Sequence, residues 1–245
     1  MQCPVTPDNN AGMPLRPAGL PTIALLGVLW AGQAGAAGPE TATQPSSYWR
    51  ERTSLFRTFT HQPQVVMIGD SLTDGAEWAE MFPQQDIVNR GIDSDTTEGV
   101  LARLGDILSI RPRQAFVMIG INDFADAKRE VDAVFASYRS IVSRLDQGGV
   151  KVTVQSTLPC NVAKAAWKSC AALNPRIREL NTRLASLAST RVRFVDLWPL
   201  LAANGELNSD YTYDGVHLNG EGYRQWRRGI APFMAVRDQP PAGHR

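Results

Sequence analysis

The feature that most constrains this chain is an alternation. Between residues 65 and 196, short unbroken apolar runs take turns with longer stretches whose apolar residues recur at helical spacing. Residues 65–68 run into Gly69, and residues 115–119 run into Gly120. Residues 151–156 and 192–196 are two further β-rich runs, and Ile87 with Val88 makes a weaker fifth. Strands covered on both faces read as continuous apolar runs, the mark of a parallel sheet. Between the runs, Val100, Leu101, Leu104, Ile107 and Leu108 share one helical face. Val131, Val134, Phe135, Tyr138, Ile141, Val142 and Leu145 share a second, and Ile177, Leu180, Leu184 and Leu187 a third. Asn219 can cap a last helix running towards Phe233. This order predicts an α/β fold of three layers, α/β/α, with right-handed crossovers and a central parallel sheet of about five strands.

Composition sets the outer limits. Apolar residues make up 43% of the 245 and charged residues 20%, with a net charge of +1. That balance excludes a disordered or fibrous chain and gives no electrostatic ground for a nucleic-acid or membrane-surface partner. The length fits one domain, expected over 61–237. Residues 1–36 read as a cleaved signal peptide. The apolar stretch at 20–30 is shorter than the about 20 residues a bilayer needs, and Ala34-Gly35-Ala36 supplies a small-x-small cleavage pattern. A start at Met13 would leave Arg16 as the only charge before it; an uncleaved anchor or a buried apolar segment is the alternative. Export implies a periplasmic or secreted protein. Residues 37–60 read as a tether and lead-in, rich in Pro, Thr and Ser over 38–48, and residues 238–245 as a flexible tail. Three cysteines cannot form a disulfide scaffold. Cleavage removes Cys3 and leaves Cys160 and Cys170, a pair that an oxidising compartment would bridge; two free buried thiols are the alternative.

Ligands of open α/β sheets bind outside the carboxyl ends of the strands, and that is where the polar motifs fall. Gly69-Asp70-Ser71 follows the first run, so Ser71 stands at a helix start with free backbone N–H groups around it. Of the three histidines only His217 has a carboxylate three residues earlier, Asp214, which can orient the ring as a general base. Gly91 and Asn122 close the next two strand ends and can donate to a developing oxyanion, together with the N–H of Ser71. The plainer readings are a helix cap for Ser71, a solvated loop histidine for His217 and a turn residue for Asn122. A metal-dependent phosphoesterase is a competing reading, but it needs several histidines and carboxylates converging on the metal, and only His217 is well placed.

In order along the chain, GDSLTDG, NRGI, GIND and DGVHLN resemble the four blocks of the SGNH hydrolases, also called GDSL esterases/lipases. The resemblance runs from about Val65 to Phe233. It looks closest to the branch similar to platelet-activating-factor acetylhydrolase subunits and sialate O-acetylesterases. It implies a flavodoxin-like domain and a serine esterase without metal or cofactor. In that setting Ser71 is the nucleophile, His217 the base and Asp214 its orienting acid, with Ser71, Gly91 and Asn122 as the oxyanion hole. The branch implies small acyl groups, O-acetyl on a carbohydrate foremost. A lysophospholipase or thioesterase-type lipase for longer chains, and a non-catalytic carbohydrate-binding protein on the same fold, are the alternatives. Trp78 and Trp167 are candidates for stacking on a sugar ring, with core packing the alternative for each. Ser94 stands where many relatives carry glycine, which predicts a stiffer or shifted loop beside Gly91. The stretch between Cys160 and Cys170 looks like an extension of the loop after the fourth strand and is expected to border the site.

Overall fold

The computed structural model of the chain describes residues 46–125 and 128–234; the expected signal peptide, most of the tether and the tail lie outside them. Five strands form the sheet: β1 (Val65–Gly69), β2 (Ile87–Gly91), β3 (Gln114–Met118), β4 (Lys151–Gln155) and β5 (Val192–Val195). All are parallel, in the order β2-β1-β3-β4-β5. Each residue of β1 and β3 is buried, as their unbroken apolar runs require.

The helices follow the strands: α1 (Ser47–Thr58), α2 (Ser71–Asp74), α3 (Trp78–Met81), α4 (Thr97–Ser109), α5 (Ile121–Ala125), α6 (Val131–Gln147), α7 (Cys170–Ala185), α8 (Trp198–Leu201) and α9 (Gly220–Ile230). Strand side chains alternate between two cores. Val66, Ile68 and Val117 pack with Val100, Leu104, Val134, Ile141, Ile177 and Leu180, the stripes of α4, α6 and α7. Val65, Met67 and Phe116 pack on the other side with Trp78, Leu201, Trp226 and Ile230 from α3, α8 and α9. Asn219 caps α9 as expected, its side chain accepting from the Gly222 N–H. The register sets Gly69 beside both Gly91 and Met118, so three chains leave the sheet side by side at one edge. The strand order reverses direction at β1, where such folds open a ligand crevice.

Two elements depart from the sequence reading. The lead-in is not a tether throughout: α1 is a twelve-residue helix whose N-cap, Ser46, accepts from the Trp49 N–H. Its buried residues are Thr53 and Phe56, which with Trp49 fall at i, i+4 and i+7. A small antiparallel hairpin, β6 (Ala202–Ala203) with β7 (Glu206–Leu207), lies outside the main sheet.

Candidate active site

Gly69 ends β1 where nothing larger than hydrogen fits: a Cβ there would lie 2.2 Å from Thr73 Oγ1 and 2.3 Å from the Met118 carbonyl oxygen. The chain turns at Asp70, whose carboxylate accepts from the Leu72 N–H at 3.1 Å, and Ser71 becomes the first residue of α2. Ser71 Oγ lies 2.9 Å from His217 Nε2. On the ring's other side, Asp214 Oδ2 lies 2.7 Å from Nδ1. The second Asp214 oxygen accepts the N–H groups of Val216 at 2.9 Å and His217 at 2.7 Å. Partial burial works against the charge of Asp214, but the bonds from His217 outweigh it and hold the carboxyl below its ordinary value. Three groups, the outermost 146 residues apart in the chain, thus form one hydrogen-bonded line of nucleophile, base and orienting acid.

The expected oxyanion donors gather beside it. Gly91 touches the nucleophile helix so closely that a Cβ would lie 2.2 Å from the Asp74 nitrogen. Its N–H is not idle: it donates to Asn89 Oδ1 at 2.8 Å. The Asn89 amide donates in turn to the carbonyls of Thr73 and Asp74 at 2.9 Å and of Ala76 at 3.3 Å, tying β2 to α2. Asn122 is buried and gives one amide hydrogen to the Asp95 carbonyl at 3.0 Å, which leaves its second hydrogen for a ligand. The next residue, Asp123, is fixed by the Thr97 N–H and hydroxyl and by Arg129.

Behind this edge lies a dry charged layer. Asp95 pairs with Arg103 at 2.8 Å, both fully buried, and Arg103 Nη2 lies 3.3 Å from the Gly69 carbonyl. Burial, with Asp95 and Asp123 nearby, pushes the Asp70 carboxyl up to about 7. Helix α1 reaches this layer through the Trp49 indole, which donates to Asp95 at 3.2 Å. Nearer solvent, the Tyr48 hydroxyl donates to Asp74 at 2.6 Å and Arg52 pairs with Asp74 at 3.0 Å.

The acid–base loop is held differently. Cys160 and Cys170 are bridged. The loop they close seats on the segment before His217. The Asn161 N–H donates to the Gly215 carbonyl at 2.7 Å, and Lys164 Nζ donates to the carbonyls of Ser209 at 2.7 Å and Thr212 at 3.1 Å. Gly215 has φ +90°, and a Cβ there would lie 2.3 Å from the Ala165 nitrogen.

One sequence-based candidate is displaced. Trp78 is 2% exposed; its indole donates to the Thr73 carbonyl at 2.9 Å and its ring meets Trp226 edge-on at 5.1 Å. It is a core residue beneath α2 and cannot stack on a sugar. Trp167 is half-buried against the helical core. Ser94 adopts φ +59°, the left-handed region that glycine enters freely. Among the described residues no group of three His, Cys, Asp or Glu converges as a metal site. The sequence reading overlooked Asn89, which was visible as the residue before Arg90-Gly91 at a strand end. It also overlooked α1, whose stripe was legible, and Tyr213, whose ring stacks on His217 at 6.0 Å.

Residues 67–225 match the profile of the GDSL-like lipase/acylhydrolase family. The chain belongs to this family. This GDSL protein is a carboxylic ester hydrolase. It is 30% identical over 180 residues to platelet-activating factor acetylhydrolase IB subunit alpha1 of Rattus norvegicus, covering 71% of this chain and 75% of that protein. A GDSL-like lipase from Bacteroides thetaiotaomicron has a similar structure, with TM-score 0.67 at 25% identity over 75% of this chain and 95% of the other. An acetylxylan esterase from Geobacillus stearothermophilus shares the fold, with TM-score 0.51 at 18% identity over 71% and 94% of the two chains.

Proposed function

We propose that the protein removes small acyl groups, acetyl foremost, from a carbohydrate ester through an acyl-enzyme on Ser71. The observation that carries this is the line Ser71 Oγ, His217, Asp214, with contacts of 2.9 and 2.7 Å. His217 takes the Ser71 proton as Oγ attacks the ester carbonyl. The carbonyl oxygen becomes negative beside the Ser71 N–H, the free Asn122 amide hydrogen and Gly91, which hands its N–H over from Asn89 or shares it. As the intermediate collapses, His217 gives the proton to the departing alcohol. Water then attacks the acyl-enzyme with His217 again as base, releasing the acid and restoring Ser71. Asp214 stays ionised and keeps Nδ1 protonated throughout. The acetyl preference draws on the acetylhydrolase relatives and on the acetylxylan esterase of the same fold.

We further propose a periplasmic or secreted location. The apolar run and small residues over 20–37 support it, as does the Cys160–Cys170 bridge, which suits an oxidising compartment. N-terminal sequencing of exported protein should begin at Ala37; a mature chain that keeps Met1 would overturn this.

The test of the reaction is turnover of p-nitrophenyl esters from acetate to palmitate, with Ser71→Ala alongside. Activity should be highest on acetate and fall at least 10⁴-fold, by order of magnitude, in a folded Ser71→Ala protein. A preference for palmitate would replace the acetyl reading with a lipase, and retained turnover in the variant would remove Ser71 as nucleophile.

A further inference from the structure

Tyr213 precedes the acid of the site and is 68% exposed. An exposed aromatic is ordinary in itself. Its position is not: the ring lies 6.0 Å from the His217 ring with the planes 17° apart, nearly parallel to the imidazole and offset beside it, with most of its surface open. Among the described residues its hydroxyl makes no hydrogen bond.

The reaction gives this side of the site a definite occupant. The acyl oxygen turns towards the donors at the strand ends. The leaving oxygen must come within hydrogen-bond reach of His217 Nε2 to receive its proton. The alcohol is thus drawn past the ring that lies beside the imidazole. An open aromatic face suits the flat C–H face of a pyranose, and a small alkyl alcohol offers no such face to the ring.

We infer that Tyr213 is the platform for the alcohol half of the substrate and that this alcohol is a sugar, seated by its C–H face on the ring. The inference rests on the ester-hydrolase reading above and names the residue that selects the substrate within it.

Two acetates that share the acyl group but differ in the alcohol test it: 6-O-acetyl glucose and ethyl acetate. The readout is the ratio of kcat/KM on the sugar to kcat/KM on ethyl acetate. Tyr213→Ala should lower that ratio about tenfold, the size of one lost ring contact, mainly through KM for the sugar. Tyr213→Trp should keep the ratio within about threefold of the parent, because the face is retained. An unchanged ratio in Tyr213→Ala would overturn the platform. So would parallel losses on both acetates together with a shifted pH profile of kcat, since the ring would then act on His217 rather than on the sugar. If the parent protein hydrolyses neither acetate, the acetyl-ester reading falls, and the platform with it.

Discussion

The two halves of this site are built on opposite principles. The half that carries Ser71, Gly91 and Asn122 is made of strand ends, packed so tightly that Gly69 and Gly91 leave no room for a methyl group. The half that carries Asp214 and His217 is a loop outside the sheet, positioned by contacts from another loop that a disulfide closes. Their aspartates show the contrast. Asp70, fully buried behind the nucleophile, is pushed up to about 7 by loss of water, whereas Asp214 is held below its ordinary value by the bonds from His217 and Val216. A dry framework can fix a nucleophile and oxyanion donors without reorganisation during the reaction. A base that must accept a proton and release it to a leaving group works better near solvent, and its position then has to be secured by side chains and a covalent link.

The sharpest way to break this picture is Gly91→Ala. The added methyl would meet backbone atoms of Thr73 and Asp74, which cannot yield as a flexible side chain would. We expect kcat/KM to fall roughly 10³-fold, the scale of losing an oxyanion donor, together with a lower Tm. Gly105→Ala is the matched control: its methyl meets no atom within 4 Å on α4 and should stabilise the helix by about 0.5–1 kcal/mol. If the two variants had similar activity, the close approach of β2 to α2 would not matter for catalysis.

How much of this could be read from the sequence follows the same division. The strand-end half was legible because apolar runs stop at Gly69 and Gly120 and the polar motifs begin there; local chemistry fixes those positions. The triad could be named because His217 has a carboxylate at fixed spacing. What holds the acid–base loop could not be read, because Lys164 and Ser209 meet across 45 residues of chain and no periodicity announces such a contact. Asn89 lay in plain view but read as strand, since its role depends on the carbonyls of a helix 13 to 16 residues earlier. Trp78 went wrong for a related reason. Its sequence shows a large aromatic near the nucleophile, but burial decides its role, and that comes from Trp226 at the far end of the chain.

The acid–base half should depend on its covalent link in a way the other half does not. Replacing Cys160 and Cys170 by serine opens a loop of sequence separation 10, which costs about 2–3 kcal/mol if the loss of loop-closure restraint dominates. Hydrogen exchange should quicken across residues 211–218, while 65–74 and 87–91 keep their protection, and kcat should fall with it. Uniform change across both segments would mean that the bridge stabilises the whole domain rather than this loop.

Asp70 tests the dry half by pH. Its folded value of about 7 lies above the ordinary 3.8, so between the two the folded protein keeps a proton that the unfolded chain has released. Stability should therefore decline as pH rises through that window, by at most about 1.4 kcal/mol per unit. Asp70→Asn keeps an oxygen for the Leu72 N–H and has no charge to bury. Its Tm should be nearly flat from pH 4 to 7 and exceed the parent's above 7. Two parallel Tm curves would show that water reaches Asp70 after all.

The smallest expected effect sits where the two halves meet. Ser94, next to Asp93 on the loop after Gly91, holds φ +59°. A side chain in that region costs about 1–2 kcal/mol, part of which glycine would forfeit through its freer unfolded chain, about 0.4–1 kcal/mol. Ser94→Gly should therefore raise stability by about 0.5–1 kcal/mol, a shift visible in thermal unfolding. Its effect on activity is the more telling reading. If a relaxed loop lowers kcat/KM on acetylated sugar while leaving a small acetate ester untouched, the strain at Ser94 serves the alcohol side of the site. If both substrates respond alike, the strain instead serves the oxyanion side through Gly91, and the division between the halves runs on the other side of this loop.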